Sequence, residues 1–412
     1  MNVLVVNIGS TSFKFRLFDM ADERVLAEGA VEGVGSPGSR VHIKLGEAET
    51  VERSDPIGDQ AKAVEACVGR LTGAGAGGSR FAIDAVGFKA VHGGPVSEPV
   101  RVTADVLSVM KEFADLAPAH NPPYAAAMKA FETQMPGTPL VAAFETGFHQ
   151  TIPAARSYYA VPYEWAVRYG VRRYGFHGAS HRYVAGRTSE LLGRRDLRVI
   201  SCHLGGSSSV CAIDSGRSVA NSFGTAPQSG IPHNNRVGDM DPYALVLVRA
   251  RTGADMDEML ATLATRGGLL GISGVSNDMR EIAAAADTGN ERARLALDMF
   301  VESVRHYIGA YLVALGGLDV LVFTGGIGER SAGIRRRVCA GLEFLGIRLD
   351  PSRNDAGGVE ATVSADDSPV EILAMRTDEE LIVARQTVEV LARSIATAGE
   401  PVDKPKRAHE GS

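Results

Sequence analysis

The chain opens with an apolar run that is followed by a strictly alternating segment. Residues 3–6 are continuously apolar, and from Ser12 to Leu17 an apolar side chain takes every second position. Alternation with period two is typical of a strand with one buried face. Gly9 and Ser10 mark a turn between the two segments, so the pattern predicts a β-hairpin over residues 3–19.

Segments with helical spacing alternate with short apolar runs along the rest of the chain. Helices are predicted at residues 60–72, 104–117, 124–134, 180–192, 256–265, 291–315 and 378–395. Strands are predicted at residues 85–91, 139–143, 198–203 and 319–324. This alternation predicts an α/β fold.

The hairpin pattern occurs twice. Residues 198–209 repeat the layout of residues 3–12, with a strand, a polar residue, a glycine and then hydroxyl side chains. Residues 210–213 can form the returning strand. We interpret the repetition as two similar halves with a cleft between them; the alternative is a chance similarity between two common hairpins.

Composition excludes several classes of partner. Of the 412 residues 45% are hydrophobic, and the net charge is −6, which argues against a surface that coats nucleic acid or anionic lipid. The longest apolar stretch, Tyr307 to Leu318, is 12 residues, whereas a membrane span needs about 18. Lys14 and Arg16 interrupt the first apolar segment, which is unlike a secretory signal. We expect neither nucleic acid nor membrane partners.

The four cysteines are scattered, with no CxxC pair and no zinc spacing. This usage is typical of structural thiols in a reducing cytosol, so a cytoplasmic location is expected. From Ser394 onward the sequence has two prolines and no apolar period, which predicts a frayed tail.

The first hairpin carries side chains suited to a phosphate. Ser10, Ser12 and Lys14 share one face, and Asn7 ends the strand beside them. Hydroxyls, backbone N–H groups and an ammonium together can grip a phosphate. The alternative is a polar hairpin face with a solvated lysine, and no Walker A loop is present.

Two further glycine turns follow predicted strands. Gly205 and Gly206 lie between His203 and a run of three serines, and residues 325–329 lie between a strand and a helical stretch from Ser331. Glycines between a strand and a helix let the backbone approach a nucleotide. Either turn alone is weak evidence.

Four side chains outside these turns are candidates for phosphate chemistry. His177 lies before a helix that we expect Ser180 to cap, and it either contacts phosphate or is structural. Arg236 lies in a polar loop, where it can clamp an anion or pair with an aspartate. Glu145 ends a strand and can hold magnesium or water. Glu379 opens the last helix, where acidic residues are more often dipole partners.

Taken together, these segments resemble the acetate kinase family from Asn2 to about Arg385. The motifs that carry the resemblance are residues 7–14, 91–94, 120–123, 144–149, 174–181, 203–205, 236–242, 271–274, 277–280, 324–329 and 377–380. The resemblance implies an actin-like ATPase fold: two ribonuclease-H-like domains around a central cleft, usually in a homodimer. Residues 1–148 plus about 380–395 would form the first domain, 149–379 the nucleotide-binding domain, and 396–412 a flexible tail.

The resemblance also implies the site residues. The catalytic positions would be Arg236, His177, Glu145 and Lys89, and the Mg²⁺ positions Asn7 and Glu379. The nucleotide positions would be Ser10, Ser12, Lys14, His203, Gly205, Gly206, Asp278, Met279, Arg280, Gly325, Gly326, Ile327 and Gly328. The carboxylate pocket would be lined by Val91, Ala119, His120, Phe176 and Pro227.

The implied reaction is attack of a carboxylate oxygen on the γ-phosphorus of ATP, which gives an acyl phosphate and ADP. A carboxylate is ionised at pH 7, so no strong general base is needed. Positioning and charge neutralisation by Mg²⁺, Arg236 and His177 would provide the catalysis.

The chain departs from the family pattern at several positions. Lys89 replaces an arginine, Glu145 an aspartate, Gly206 an asparagine and Ala119 a leucine, and residues 228–235 are more polar than usual. Three interpretations stay open: an acetate kinase, a kinase for a larger or more polar carboxylate, and a nucleotide-binding homologue with little turnover. The alanine predicts a widened acyl pocket.

Overall fold

A computed structural model of the protein contains the predicted hairpin as part of a larger sheet. The structure describes residues 1–9, 11–46, 48–53, 56–73 and 81–398. Within these residues the first sheet comprises β1 (Asn2–Ile8), β2 (Ser12–Asp19), β3 (Arg24–Glu32), β4 (Arg40–Leu45), β5 (Ala48–Arg53), β6 (Ala85–Ala90), β7 (Val100–Arg101) and β8 (Leu140–Phe144). The second sheet comprises β9 (Arg198–Leu204), β10 (Ser208–Asp214), β11 (Arg217–Asn221), β12 (Val320–Thr324), β13 (Ala361–Thr362) and β14 (Glu371–Ala374).

Helices fill the connections between the strands. In chain order they are α1 (Gln60–Thr72), α2 (Ala104–Glu112), α3 (Asn121–Gln134), α4 (Ala154–Ser157), α5 (Tyr163–Tyr169), α6 (Gly178–Leu192), α7 (Ala244–Thr252), α8 (Met256–Thr265), α9 (Gly268–Ser273), α10 (Met279–Asp287), α11 (Glu291–Leu315), α12 (Gly325–Arg330), α13 (Ala332–Cys339), α14 (Pro351–Ala356) and α15 (Glu379–Ala398). No helix in the described ranges is long and apolar enough to cross a membrane.

The two sheets repeat one topology. The first contains the order β3-β2-β1-β6-β8 and the second contains β11-β10-β9-β12-β14. In both sheets three antiparallel strands are followed by two parallel strands. The two parallel strands run in the same direction as β1 in the first sheet and as β9 in the second. This confirms the interpretation of two similar halves and the predicted α/β fold with two ribonuclease-H-like units.

Each half buries its own apolar core. The first half packs Phe13 and Phe88 around Phe131 of α3, and the two pairs of rings lie 6.5 and 5.5 Å apart. The second half buries all five residues of β12 and one face of α11. A strand that is buried on both faces has a continuous apolar sequence. For this reason β12 could be predicted from the sequence.

Helix α15 follows the second sheet in the chain but packs on the first. It contacts β1, β6 and β8, and Gly87 of β6 allows close approach because a Cβ there would lie 2.4 Å from the Thr387 hydroxyl. The chain therefore passes from β14 to the first sheet just before Glu379. This crossing places the start of α15 between the two halves.

Three local predictions are wrong. Ser180 does not cap α6, because the helix begins at Gly178 and His177 is its N-cap. The glycine segment after β12 is not a loop: Gly325, with φ of 74°, turns the chain directly into α12. A Cβ at Gly325 would lie 2.6 Å from the Leu204 carbonyl oxygen, so the glycine is needed for this close turn.

The third concerns the C-terminal tail. Helix α15 continues to Ala398, so residues 394–398 are helical in backbone rather than frayed. The rest of the predicted tail, residues 399–412, lies outside the described residues.

Candidate active site

Parallel strands bring three candidate residues to one edge of the first sheet. Val6 of β1 pairs with Phe88 of β6, and Ala90 of β6 pairs with Phe144 of β8. Asn7, Lys89 and Glu145 follow or belong to the carboxyl ends of these strands. The start of α15 reaches the same edge, which adds Glu379.

Lys89 forms ion pairs with two carboxylates. Its Nζ lies 3.4 Å from Oε1 of Glu145 and also pairs with Oε2 of Glu379. Only 6% of the Glu145 side chain is exposed, and the other two side chains are nearly as buried. Removal of one partner from a buried ion pair leaves an uncompensated charge, so the three groups depend on one another.

The protonation of this cluster follows from burial and from Lys89. Burial raises the pKa of Glu145 to about 7, although Lys89 opposes the shift. Burial acts in the same direction on Glu379, but Lys89 and His203 outweigh it and lower its pKa. Burial also acts to lower the pKa of Lys89, and the carboxylates reverse this and hold it well above its usual range. Lys89 and Glu379 are therefore charged at neutral pH.

Asn7 is held from two sides. Its Nδ2 donates to Oε1 of Glu380 over 3.4 Å, and its Oδ1 accepts from the Tyr124 hydroxyl over 3.5 Å. That hydroxyl accepts from the backbone N–H of Ile8 over 2.9 Å. These contacts fix the end of β1 against α3 and α15.

His177 and His203 stack on the other side of the charged cluster. Their ring centres lie 4.1 Å apart with an interplanar angle of 28°. Nδ1 of His203 lies 2.7 Å from the Ser180 hydroxyl and 3.9 Å from Oε1 of Glu379. Burial lowers the pKa of both histidines, strongly so for His177, so both are neutral donors or acceptors at pH 7.

Two further residues support His177. Its Nδ1 lies 2.8 Å from Oγ of Ser209, and the same Oγ lies 2.9 Å from Nε2 of His181. Nδ1 of His181 lies 2.9 Å from Oγ of Ser201. The sequence analysis did not assign Ser209 or His181, although a histidine four residues after His177 was a signal that the two share a helix face.

A short loop positions Arg236. Its Nη1 donates to the Pro227 carbonyl over 3.2 Å and to the Ser207 hydroxyl over 3.4 Å. Gly268 packs against its backbone so closely that a Cβ there would lie 2.6 Å from the Arg236 N and O atoms. The guanidinium thus lies beside the β9–β10 turn, with its fork geometry suited to a phosphoryl group.

The glycine segments of the second half meet. A Cβ on Gly205 would lie 3.8 Å from the backbone nitrogen of Gly326, at the start of α12. Gly205 donates its N–H to the Ser208 hydroxyl over 3.1 Å, which fixes the turn, while Gly206 is exposed. Gly328 is buried and Ile327 is half-buried against the core.

The other predicted nucleotide residues are more dispersed. Asp278 caps α10, and its carboxylate accepts from the backbone and side chain of Arg280; these contacts lower its pKa to about 2. Met279 is buried in the apolar core. Lys14 is exposed and pairs through its backbone with Asn7 across the hairpin, and Ser12 is half-buried. Ser10 lies outside the described residues.

The predicted pocket residues surround the same region unevenly. Phe176 is buried, with its ring 5.7 Å from that of His92. Burial, Arg236 and Lys89 lower the pKa of His120, at the N-cap of α3, to about 4. Val91 packs on the first core, and Pro227 holds Arg236. Ala119 is exposed.

The oxygen atoms at the junction fit a magnesium ion. Neither oxygen of Glu145 accepts a hydrogen bond from the described residues, and Oε1 has only the ion pair with Lys89 among them. Asn7 and Glu379 reach the same edge of the first sheet. In the described part of the chain, no group of three His, Cys, Asp or Glu could hold a metal. Mg²⁺ is usually held by one or two carboxylates together with substrate phosphates and water, and this donor set matches that requirement.

The similarity to known proteins extends over nearly the whole chain. The model of the acetokinase family matches residues 2–385. Acetate kinase of Dictyoglomus turgidum is 46% identical over 400 residues, which cover 96% of this chain and 99% of that protein. Acetate kinase of Bacillus subtilis is 42% identical over 391 residues, covering 94% and 99%.

Solved structures of similar proteins have the same fold as this chain. The crystal structure of Porphyromonas gingivalis acetate kinase has a TM-score of 0.86 and 39% identity, and covers 95% of this chain and 99% of its own. A propionate kinase from Francisella tularensis has a TM-score of 0.88 and 34% identity, covering 94% and 99%. Both similarities extend over both sheets and the junction between them.

Proposed function

The chain belongs to the acetokinase family, and from this premise we propose that it transfers the γ-phosphoryl group of ATP reversibly to a short-chain carboxylate, acetate by default. The products are an acyl phosphate and ADP. The observation that carries the proposal is the cluster of Lys89, Glu145 and Glu379 beside His203 and His177. It combines buried charges and neutral donors at the junction of two similar halves.

Each residue has a role that its surroundings support. Arg236 would clamp the transferring phosphoryl group, because its guanidinium is held at one nitrogen by Pro227 and Ser207. His177 would donate a hydrogen bond to the same group. The acceptor carboxylate needs no base, so catalysis would come from positioning and charge neutralisation. Lys89 would add a positive charge that is less directional than an arginine fork.

Asn7 and Glu379 would hold Mg²⁺, with Glu145 in support. When bound, the ion neutralises phosphate charge and orients the polyphosphate. The triphosphate would follow the β9–β10 turn and the start of α12, where Gly205 and Gly326 lie together. Residues 278–280 would contact the adenosine side.

A larger or more polar carboxylate is the second candidate. Three polar atoms in the loop before Arg236 are buried without hydrogen-bond partners in the described structure: Gln228 Oε1, His233 Nε2 and Asn234 Oδ1. Buried polar atoms normally have partners, and a hydroxyl or amide on the substrate would supply them. Ala119 is exposed in this structure, so it would leave room for the longer chain once the two halves close over the substrate.

We also propose a homodimer in the cytoplasm. Several large apolar side chains of α5 and α7 are exposed in the single chain, among them Trp165, Val246 and Leu247. Val246 and Leu247 are adjacent in α7, and exposed apolar surface of this kind is typical of an interaction site. The four cysteines are all free and buried, as expected in a reducing compartment.

The domain boundaries at residues 148 and about 380 stay a proposal. The return of α15 to the first sheet supports the second boundary. Closure of the two halves would bring Arg236 and His177 toward Lys89 and the bound carboxylate, and would exclude water from the acyl phosphate.

The proposal is tested by assaying acetate, propionate, butyrate and a hydroxylated acid with ATP and Mg²⁺, and trapping the product as a hydroxamate. Trapped product that depends on a carboxylate supports the kinase, and the ranking of acids separates the two candidates. ATP binding without trapped product from any acid would instead support the homologue with little turnover.

A further inference from the structure

Two imidazoles separated by one helical turn share a single buried hydroxyl. His177 is the N-cap of α6 and His181 lies in its first turn. Oγ of Ser209 lies 2.8 Å from Nδ1 of His177 and 2.9 Å from Nε2 of His181, and Nδ1 of His181 lies 2.9 Å from Oγ of Ser201. A continuous chain of hydrogen bonds thus runs from the candidate active site into the second sheet.

This chain can run in two directions. A serine hydroxyl has one proton, and a neutral imidazole has one N–H and one acceptor nitrogen. In the first direction Ser201 donates to His181, His181 donates to Ser209, and Ser209 donates to Nδ1 of His177. In the second direction every donor and acceptor is exchanged, which leaves the hydroxyl proton of buried Ser201 without an acceptor among the described residues. The direction decides which nitrogen of His177 carries its proton.

Both histidines are neutral, so their tautomers matter. Burial and the neighbouring imidazoles hold the pKa of His177 and His181 well below the ordinary value. In the first direction Nε2 of His177 carries a hydrogen and is a donor. In the second it has a lone pair, which would repel a phosphoryl oxygen.

The backbone limits how His177 can respond. Its φ of 58° places a residue with a Cβ in the left-handed region, a conformation that persists only where the surroundings enforce it. The ring is also stacked on His203. The stacking on His203 fixes one face of the His177 ring, and the backbone fixes its position. The hydrogen bond to Ser209 then sets which ring nitrogen carries the proton.

We propose that Ser209 and His181 are positioning residues that hold His177 as the Nε2–H tautomer, so that a neutral imidazole donates to the transferring phosphoryl group. The inference rests on the proposed function only in placing that group at His177. The tautomer itself is a property of the protein without substrate. It gives the site a hydrogen-bond donor without the cost of a buried imidazolium.

The test is long-range ¹H–¹⁵N NMR at pH 7 on the full-length protein labelled at histidine nitrogens, without nucleotide. His177→Gln and His181→Gln variants assign the signals. We expect His177 and His181 both to be protonated at Nε2. In Ser209→Ala we expect a mixed His177 tautomer and a kcat lowered about tenfold or more, with the KM for ATP within about twofold.

Ser218→Ala is the matched control. Ser218 Oγ lies 2.8 Å from Nδ1 of another buried histidine, His149, so this variant also removes a buried serine–histidine contact. It should leave the His177 tautomer and kcat unchanged. His181→Gln keeps a donor near the Nε2 position and should retain more activity than His181→Leu.

Protonation of wild-type His177 at Nδ1 would overturn the proposal, as would a Ser209→Ala enzyme with wild-type kcat and tautomer. An equal loss in Ser209→Ala and Ser218→Ala would also overturn it, since that pattern indicates a packing effect. If the tautomer is as expected but no carboxylate is phosphorylated, the proposed function fails while the Ser209 contact stands.

Discussion

Nζ of Lys89 lies 3.4 Å from Oε1 of Glu145, at the carboxyl ends of two neighbouring parallel strands. The pair is buried, and Glu379 shares the same ammonium from the start of α15. One lysine therefore connects two carboxylates that reach the junction from different parts of the chain. The stability and the chemistry of the site both depend on this arrangement.

Glu145→Gln should change how stability depends on pH. The folded-state pKa of about 7 lies above the usual value near 4.5 because the group is buried. A raised carboxyl pKa means that the folded protein binds the proton more tightly, so stability falls as pH rises from about 4.5 to 7. The free energy of unfolding of the variant, relative to wild type, should rise by about 1–3 kcal/mol between pH 5 and 8.

Denaturant unfolding of both proteins at the two pH values measures this difference, and buried histidines that titrate in the same range cancel from it. Exposed Glu132→Gln is the control and should show no such trend. A difference between Glu145→Gln and wild type that does not vary with pH would show that Glu145 has an ordinary pKa.

Arg236→Ala should reduce kcat far more than it weakens ATP binding. A charged contact that strengthens in the transition state is worth on the order of 10²-fold or more in rate. Steady-state kinetics with acetate and ATP measure the separation of kcat from KM, and exposed Arg249→Ala serves as the control. A variant that retains most of its turnover would remove Arg236 from the mechanism.

Glu379→Ala should raise the Mg²⁺ concentration needed for half-maximal rate or abolish activity. Its carboxylate is buried and ionised beside Lys89, and loss of this hard oxygen ligand weakens a magnesium site. The readouts are a Mg²⁺ titration of the rate and of the thermal midpoint. Glu389→Ala, an exposed glutamate on the same helix, is the control. Unchanged midpoints would leave Glu379 as a helix-dipole partner.

Ala119→Leu should narrow the range of acids that the enzyme accepts. Ala119 is exposed in this structure and would contact the substrate when the two halves close. Each CH₂ buried there would be worth roughly 0.8 kcal/mol, so the wild type should favour acids longer than acetate, and Ala119→Leu should shift the preference back toward acetate. The measurement is kcat/KM for acetate, propionate, butyrate and a hydroxylated acid. If wild type prefers acetate and the substitution leaves the ranking unchanged, the enlarged pocket is refuted.

Leu247→Asp should weaken self-association. The side chain is 56% exposed on α7, and a charge at the centre of an apolar interface must be desolvated on assembly. Light scattering after size exclusion should give the mass of two chains for wild type and a monomer fraction for the variant. A monomeric wild type would disprove the dimer.

Much of the fold could be predicted because apolar residues recur in its strands and helices with the spacing typical of each. The first hairpin and its repetition at β9–β10 identified both halves, and α11 begins and ends where its apolar spacing indicates. Strands β3 and β5 were missed because their sequences lack a regular apolar–polar alternation. Strand β4 was missed although Val41, Ile43 and Leu45 alternate with polar residues. Helix α12 was missed because glycines normally disfavour a helix interior, and only packing against Leu204 explains its start.

Some residues of the site could be predicted from the sequence and others could not, for a physical reason. Residues in distinctive motifs, such as His177 and Arg236, could be identified from local sequence. The ion pair between Lys89 and Glu379 could not, because it depends on α15 returning to the first sheet. Ser209 could not be told from its neighbours Ser207 and Ser208, since only the strand register determines which hydroxyl faces His177.

The central claim is that a carboxylate oxygen of the substrate attacks the γ-phosphorus of ATP. The most direct measurement uses acetate labelled with ¹⁸O in both oxygens, together with ATP and Mg²⁺, and ³¹P NMR of the products. The account predicts acyl phosphate that carries one ¹⁸O on phosphorus, formed in equal amount to ADP. ADP that accumulates with inorganic phosphate, or an acyl phosphate without the label on phosphorus, would contradict it.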